Sequence, residues 1–417
     1  MRDSFLIAWR GLFRGGALWM LAAAVAAVHF AVPGFVRSDG TAQGAFEMTV
    51  RLAGGISAAI IYVSVLVISC DAFAREREEG LLPLTLVRPV PAFSAAAGRW
   101  LAVLLLSACL LVLHTVLLNF ASGATPPPPC RRIHRPDLPP AEVSAMKVME
   151  AFMKSADTPD AVKKAPRAAI LGLLTAKENE RYEVIHPGET ASWPFAPPSG
   201  GELSVRVRFS TMYNMQTALC GTFRLCGMEG TVSNSTQAVL EVPLSSGGEV
   251  RCGSAALEFS NTGKSDVMLR PRRDVELLSP GDSFAANSAR AALEMLTFAG
   301  LLAAFGLFLS SALSRPVALF SAVVLLAAAM MAPDAVSQFP DEFHATAGER
   351  MGLAVSRTVS GCTSAFTEAS PVSDLASGRA IPYGEVAGIA FFGTAPVVVL
   401  LLSAAALLLR RKTKQGW

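Results

Sequence analysis

Charged residues are scarce in this chain of 417 residues: Asp, Glu, Lys and Arg together make up 17%, whereas 52% of the residues are hydrophobic. Soluble domains usually carry about 25% charged residues, so the composition argues against a single soluble enzyme domain. The formal net charge is only +3, which is too small for the clustered basic surface of a nucleic-acid-binding protein. The abundance of apolar residues also argues against intrinsic disorder.

The sequence also lacks a nucleotide-binding P-loop, whose pattern is G-x-x-x-x-G-K-[ST]. The nearest approach is Gly263-Lys264-Ser265, where Glu258 occupies the position of the first glycine. We expect this stretch to be a turn between strands. The chain is therefore not expected to be an enzyme that hydrolyses ATP, and no cofactor is expected for it.

Long apolar runs are the dominant feature of what is present. A helix that crosses a bilayer needs about 20 consecutive apolar residues. Six runs approach or exceed this length, and they predict an α-helical integral membrane protein with six transmembrane helices: Gly16–Val36, Leu52–Cys70, Leu101–Ala121, Ala292–Leu313, Pro316–Pro333 and Val386–Leu409.

The distribution of basic residues predicts the orientation of these spans. If the N-terminus is cytoplasmic, the short inner segments hold twelve Lys and Arg residues and the short outer loops hold five. Basic residues accumulate on the cytoplasmic side of membrane proteins, so both termini are expected in the cytoplasm.

This orientation divides the chain into three parts. Residues 1–121 hold an N-terminal interfacial helix and spans 1–3, with a cytoplasmic loop at 71–99. Residues 122–290 are expected to form an inserted extracytoplasmic α+β domain. Residues 291–417 hold spans 4–6, an outer loop at 334–385 and a cytoplasmic tail.

The inserted domain changes character along its length. It opens with a proline-rich linker, Pro126–Pro129, and continues with apolar residues at helical spacing between Val143 and Met153. From about residue 193, apolar and polar residues alternate as in half-buried strands. We expect a small antiparallel β-sandwich, with Leu203–Phe209, Val239–Leu244, Ala255–Phe259 and Val267–Leu278 among its strands.

The loop between the second and third spans carries the most informative motif. A charged stretch ends at a glycine, and an apolar stretch with Arg-Pro-Val follows before the chain re-enters the membrane. Such an element suits docking into a groove of a partner, although a solvated loop whose arginines only fix the topology has the same composition. The residues of interest are Arg75, Glu76, Glu78, Glu79, Gly80, Arg88 and Pro89.

This loop resembles the first intracellular loop of the ABC-2 family of ABC exporter permeases, whose pattern is close to R-E-x-E-x-G-T-L, then L-x-R-P-V, then G-K. The chain departs from it at Leu81, at Pro83 and at Arg99, where the family has Lys. A second run, Gly306–Ala318, is similar to the family's G-L-x-x-S-x-x-x-S-x-P-V-A pattern. The resemblance covers about 200 to 250 residues of the membrane part and leaves out the inserted domain.

The resemblance implies a mechanism and a set of partners. A separate cytoplasmic ABC ATPase subunit, which binds ATP and Mg, would engage the seven loop residues, and its dimerisation would rock two six-span permeases against each other. The second permease would be another copy or a paralogue. The location implied is the bacterial plasma membrane, and the inserted domain would receive substrate or bind an extracytoplasmic partner.

Ion-driven transport is the rival mechanism, and the apolar runs argue against it. Carboxylates inside spans are the usual carriers of protons and cations. Here the acidic residues near the runs are terminal: Asp71, Glu294, Asp334 and Glu385. His29 and His114 lie deep in runs, where they either line a substrate path or form hydrogen bonds to neighbouring helices.

Five of the seven cysteines fall in predicted extracytoplasmic segments, where disulfides can form. Cys220 with Cys226, or either of them with Cys252, would staple the sandwich. No metal site is expected, because Cys130 and His134 supply only two ligands and zinc needs four, or three and a water.

Two functions therefore remain open. One is an ABC-2 type permease subunit powered by a separate ATPase. The other is a membrane anchor that transports nothing and presents its β-sandwich for binding or for assembly of an envelope complex. The anchor gives no reason for the pattern between Arg75 and Arg99.

Overall fold

The structure is a computed structural model that describes residues 2–14, 16–36, 42–80, 91–122, 130–154, 167–196, 202–208, 219–235, 239–246, 255–338 and 370–414. These residues belong to two compact units. The helical unit comprises the described residues up to Cys130 and from Asp282 onwards, leaving Arg131–Gly281 to the β-rich unit.

Twelve α-helices and one π-helical segment occur in the described residues. In the first half of the chain they are α1 (Arg2–Arg14), α2 (Ala17–Phe35), α3 (Ala42–Glu78), α4 (Ala92–Ser122), α5 (Ala141–Lys154) and α6 (Arg167–Asn179). In the second half they are α7 (Pro271–Asp274), α8 (Phe284–Ala312), α9 (Arg315–Gln338), α10 (Pro371–Ala376), α11 (Tyr383–Ala387), the π-helical segment Gly388–Thr394 and α12 (Ala395–Lys414).

Five helical stretches in the described part of the chain are long and apolar enough to cross a membrane: Ala17–Phe35, Gly44–Glu78, Ala92–Phe120, Phe284–Ala312 and Tyr383–Arg411. They coincide with five of the six predicted spans, and their length and composition fit that prediction. The sixth, Pro316–Pro333, falls in α9, whose apolar described part ends at Ala327. A sixth span therefore stays a prediction.

Helix α3 is much longer than a bilayer requires. Its 37 residues extend for about 55 Å, whereas the hydrocarbon core of a membrane is about 30 Å thick. The segment from Leu52 to Cys70 contains no charged residue and alone accounts for about 30 Å. Charged turns therefore lie at both ends of α3, with Glu47 and Arg51 at one end and the Asp71–Glu79 stretch at the other.

Helices α3 and α8 run parallel through the core of the helical unit. The rings of Phe46 and Phe284 lie 5.3 Å apart, and those of Tyr62 and Phe298 lie 4.9 Å apart. Nearer the other end, Gly306 packs directly on Ser69. Each pair is separated by about 237 positions along the chain, so the two helices keep a constant register over most of their length.

The described residues of the β-rich unit contain ten strands: β1 (Arg131–His134), β2 (Glu183–Ile185), β3 (Thr190–Phe195), β4 (Leu203–Arg208), β5 (Leu219–Leu225), β6 (Met228–Ser235), β7 (Val239–Ser246), β8 (Ala255–Asn261), β9 (Val267–Leu269) and β10 (Val275–Pro280). Eight of them form one antiparallel sheet in the order β1-β10-β4-β7-β6-β5-β8-β3, and β2 pairs with β9. The sheet curls around a single apolar core that includes Trp193, Val205, Phe223, Leu257 and Leu277. The predicted sandwich of separate sheets is not confirmed.

Two strand boundaries differ from the prediction. The strands were expected from about residue 193, whereas β1 begins at Arg131 and β2 at Glu183. The predicted strand Val267–Leu278 is interrupted by α7, because Pro271 has no N–H to donate to a ladder. Arg270 then donates through its backbone N–H to Asp274 Oδ2 at 3.0 Å and fixes the interruption.

Helix α5 confirms the helical spacing seen between Val143 and Met153. Its buried side chains are the small ones, Ala141 and Ala145. Val143, Met146 and Phe152 remain exposed. The proline-rich linker at Pro126–Pro129 lies outside the described residues.

Candidate functional site

The predicted coupling residues that are described lie at the C-terminal end of α3, in two helical turns beyond the apolar segment. Phe73 and Ala74 are buried against the bundle, whereas Arg75, Glu78 and Glu79 are exposed. Gly80 has a φ of 68°, the left-handed conformation with which glycine commonly terminates a helix. The glycine of the motif therefore has a structural reason: it ends the helix directly after its charged face.

A half-buried ion pair joins this end of α3 to α4. Arg99 Nη2 lies 2.5 Å from both carboxylate oxygens of Glu76. The Arg99 side chain is only 9% exposed and that of Glu76 23%. The guanidinium also stands over the ring of Phe73, 4.4 Å from its centroid. The carboxylate of Glu76 therefore has its partner, Arg99, inside the bundle.

A second set of contacts joins α3 to the turn between α8 and α9. Arg77 donates to the carbonyl oxygen of Leu313. Arg315 Nε lies 2.6 Å from Asp71 Oδ1, and the backbone N–H of Arg315 donates to Glu78 Oε1 at 3.3 Å. The two motifs that resemble the ABC-2 pattern, more than 200 positions apart in the sequence, therefore meet.

Gly306 makes this meeting possible. A Cβ at this position would lie 2.6 Å from Ser69 Cβ and 3.3 Å from the carbonyl oxygen of Leu66. Those distances are shorter than van der Waals contact, so only a glycine allows α8 to approach α3 this closely. The glycine that opens the second motif therefore sets the spacing that brings Arg315 to α3.

We call these eight residues the charged platform: Asp71, Arg75, Glu76, Arg77, Glu78, Glu79, Arg99 and Arg315. Its solvent-facing edge is the pair Arg75–Glu79, with Nε and Oε1 2.8 Å apart and side chains 64% and 45% exposed. An exposed pair one helical turn apart contributes little to stability, so these charges are accessible to a partner. Arg88 and Pro89 lie outside the described residues.

Sequence reasoning had not assigned Asp71, Arg77, Arg99 and Arg315 to the site. The signal available was their position, since all four follow or precede an apolar run.

A cleft of about 470 Å³ opens beside the platform, between α1, α3 and α4. One wall is apolar and includes Ile7, Leu12 and Val103, and the other carries Asp71, Glu79 and Arg99. Helix α1 is held against the bundle by Trp9 and Leu12, which pack on its apolar core.

The two histidines predicted to lie inside the bundle come together. Their rings are 5.0 Å apart between centroids, and His29 and His114 are 4% and 2% exposed. His29 Nδ1 lies 2.9 Å from the carbonyl oxygen of Val25 and 3.5 Å from Ser57 Oγ. His29 Nε2 and His114 Nδ1 have no hydrogen-bond partner in the structure. Both expectations, a substrate path and bonding to a neighbouring helix, stay open.

Glu294 is not at the end of its span, contrary to the sequence interpretation. Helix α8 begins at Phe284, where Ser283 caps it by accepting from the N–H of Ala286, and Glu294 therefore lies in its third turn. Glu294 is buried, with only 5% of its surface exposed. The apolar run began later than the helix because Asn287 and Arg290 occupy its first turns, where the segment at 379–381 satisfies them.

The cysteines resolve part of the predicted disulfide set. Cys226 is disulfide-bonded, and it forms with Gly227 the tight turn between β5 and β6, at φ angles of 51° and 80°. Cys220 carries a thiol, so the pairings of Cys220 with Cys226 and of Cys220 with Cys252 are wrong. Cys252 lies outside the described residues. The Gly263-Lys264-Ser265 stretch is a bend between β8 and β9, as expected, and the N–H of Gly263 donates to Asn261 Oδ1.

No protein-family model matches the chain, and neither a curated protein nor a solved structure matches it.

Proposed function

We propose that the chain is the membrane-spanning permease subunit of an ABC-2 type exporter, powered by a separate cytoplasmic ATPase. The observation that carries this proposal is the charged platform. It places an accessible, mostly acidic helix end next to a cleft, and it ties that helix end to other parts of the bundle.

The platform has the mechanical properties that coupling requires. A partner that pushes on the exposed end of α3 also acts on α4 through Glu76–Arg99 and on the α8–α9 turn through Arg315. Parallel packing of α3 on α8, with Gly306 at the closest point, carries the same displacement along the helices. The load therefore reaches several candidate spans from a single contact.

The exposed and the internal charges of the platform have different roles in this proposal. Glu78, Glu79 and Arg75 face the ATPase, together with Arg88 and Pro89 of the same loop. Glu76 and Arg99 hold the receiving end of the bundle together. This division refines the assignment from sequence, which treated Glu76 as a contact for the partner.

The finer architecture belongs to the same proposal. Helix α9 serves as the sixth span, both termini lie in the cytoplasm of a bacterial cell, and a second permease copy or paralogue completes a twelve-span transporter. Closed two-fold symmetry is the commonest arrangement of homo-oligomers. The β-rich unit then lies outside the cytoplasm, where it receives substrate or binds a partner.

The test is co-purification from detergent-solubilised native membranes, with the wild-type chain and two charge-reversed variants. A cytoplasmic subunit with a Walker A motif should accompany the wild type. Glu78→Lys combined with Glu79→Lys should reduce its recovery at least tenfold, because like charges then meet at the contact.

Glu47→Lys is the matched control for this experiment. Glu47 forms an exposed pair with Arg51, 2.8 Å apart and one helical turn away, at the opposite end of the same helix. Its reversal should leave recovery unchanged. If the platform variant keeps the ATPase as well as the control does, the coupling role of Glu78 and Glu79 is wrong. Recovery of envelope proteins alone from the wild type would favour the membrane anchor.

A further inference from the structure

Glu294 lies within the apolar part of the bundle. In the constant register between α3 and α8, Glu294 is level with Ser57, which lies about 9 Å inside Arg51. Arg51 is the last charge before the apolar segment of α3. A carboxyl group at this depth is costly for a membrane protein, and such groups commonly carry function.

The carboxyl group lacks the donors that would stabilise its charge. The residue is 5% exposed, and its Oε1 atom is buried without a hydrogen-bond partner in the structure. An ionised carboxylate that is removed from water needs a cation or several N–H donors nearby. Arg290, one helical turn away, does not serve, because it pairs with Asp282, donates to the carbonyl of Ile381 and lies over the Tyr383 ring.

Helix α10 and the segment that follows it bring further charges towards Glu294. Val372 of α10 packs against Gly54 of α3, where a Cβ would come within 2.9 Å of the valine side chain. This close approach seats α10 below the level of Arg51. The strongest charges acting on Glu294 are consequently those of Glu385, Asp374 and Arg379.

The positive and negative charges around Glu294 do not cancel. Arg379 is already shared by two carboxylates, with its guanidinium 3.4 Å from Asp374 and 3.5 Å from Glu385. An ionised Glu294 would be the third negative charge around one guanidinium. With Glu294 ionised, the cluster would carry a net charge of −2, and the unpartnered oxygen of Glu294 is where a positive charge would bind.

The other elements packed on α8 do not supply that charge. On α3, the titratable side chain near this depth is Tyr62, which interacts electrostatically with Glu294 and carries no positive charge. On α4, the titratable residues of the apolar segment are Cys109 and His114, and neither is among the charged groups that act on Glu294. The π-helical segment Gly388–Thr394 carries no titratable residue, and the basic residues of α12 are at its far end. In the described part of the chain, no three His, Cys, Asp or Glu side chains have the spacing to hold a metal ion.

We propose that Glu294 is a proton-binding site, which the segment from Asp374 to Glu385 connects to solvent. The carboxylate of Glu294 takes up one proton from hydronium through the partly exposed pair Arg379–Glu385, forming a carboxyl O–H bond while one O–H bond of hydronium breaks, and it returns the proton to water by the same route. This inference goes beyond the proposed function, because it adds an exchangeable ion to a subunit expected to depend on ATP alone.

The experiment is pH-difference infrared spectroscopy of the full chain in lipid nanodiscs. The wild type should show a carboxylic-acid C=O band that converts to carboxylate as the pH is raised. Glu294→Gln should abolish that band. Glu294→Asp should keep it at a shifted frequency, and this variant maintains the test if the glutamine variant does not fold.

Glu47→Gln is the control, because it makes the same change at an exposed, ion-paired carboxylate. It should leave the band in place. A wild-type spectrum without a titrating carboxylic-acid band would overturn the proposal, as would a band that persists in Glu294→Gln. A band that disappears at constant pH when sodium replaces potassium would assign the site to sodium instead. None of these results depends on an ATPase, so they are independent of the proposed function.

Discussion

Loss of the Glu76–Arg99 pair should destabilise the helical unit far more than loss of the neighbouring Arg75–Glu79 pair. Glu76→Gln removes a negative charge from a guanidinium that is 9% exposed. Removing one partner of a buried pair costs about 3–5 kcal/mol. Glu76 retains 23% exposure, and Arg99 keeps its contact with Phe73, so we expect a loss of about 2–3 kcal/mol.

The control is Glu79→Gln, the same substitution one turn along the same helix. Its pair has side chains 64% and 45% exposed, and such exposed pairs contribute little to stability because water screens their charges. A loss of 1 kcal/mol lowers Tm by about 2–4 °C in proteins of 150–250 residues. Glu76→Gln should therefore lower Tm by about 5–10 °C, and Glu79→Gln by less than about 2 °C.

The assay is thermal unfolding of the purified chain in one detergent, followed by intrinsic tryptophan fluorescence. A double-mutant cycle with Arg99→Gln separates the interaction of the pair from the effects of each substitution alone. Equal shifts for Glu76→Gln and Glu79→Gln would refute the reasoning, because they would mean that Glu76 is as exposed as Glu79. A coupling near zero in the cycle would refute it as well.

Three further predictions follow from single contacts. Gly306→Ala should cost about 1–3 kcal/mol because its Cβ would overlap α3, whereas Gly55→Ala, which meets nothing within 4 Å, should cost nothing measurable in the same unfolding assay. The hydrogen bond and charge of Asp266 raise the pKa of His186 above its usual 6.5. This pair therefore contributes stability below pH 6.5 that is lost as the pH rises through the folded-state pKa; an NMR titration should show a lower pKa in Asp266→Asn, and an unchanged pKa would contradict the contact. Cys226 should be alkylated only after reduction, and its labelling in unreduced protein, detected by mass spectrometry, would contradict the disulfide.

The apolar helices could be predicted from the sequence because each carries its signal within one continuous run. The strands were predicted less completely. The β5–β6 hairpin turns at Cys226-Gly227, a sequence that indicates a turn only weakly, and its strands contain few alternating apolar residues. The break at Pro271 was visible, but the apolar residues on both sides of it concealed that the chain changes its partner from β2 to β4 there.

The charged platform could be predicted only in part, for a related reason. The acidic and basic residues after Cys70 predicted an exposed helix end, and the structure has one. The sequence could not indicate which charges are used internally. Glu76 and Glu79 look alike in the sequence, and only the position of Arg99 on α4 distinguishes them.

The position of Glu294 could not be predicted from the sequence either, and this position matters for the mechanism. A search for uninterrupted apolar residues places the start of the span after the last polar side chain, so Asn287 and Arg290 moved the predicted boundary to Ala292. In the folded chain those two residues bond to the carbonyls of Arg379 and Ile381, so they sit within a helix that begins two turns earlier. Glu294, which the sequence placed at the end of a span, is therefore a buried residue within α8. With Glu294 inside α8, the apolar helices do contain a carboxylate, and their composition no longer excludes an ion from the working cycle of this protein.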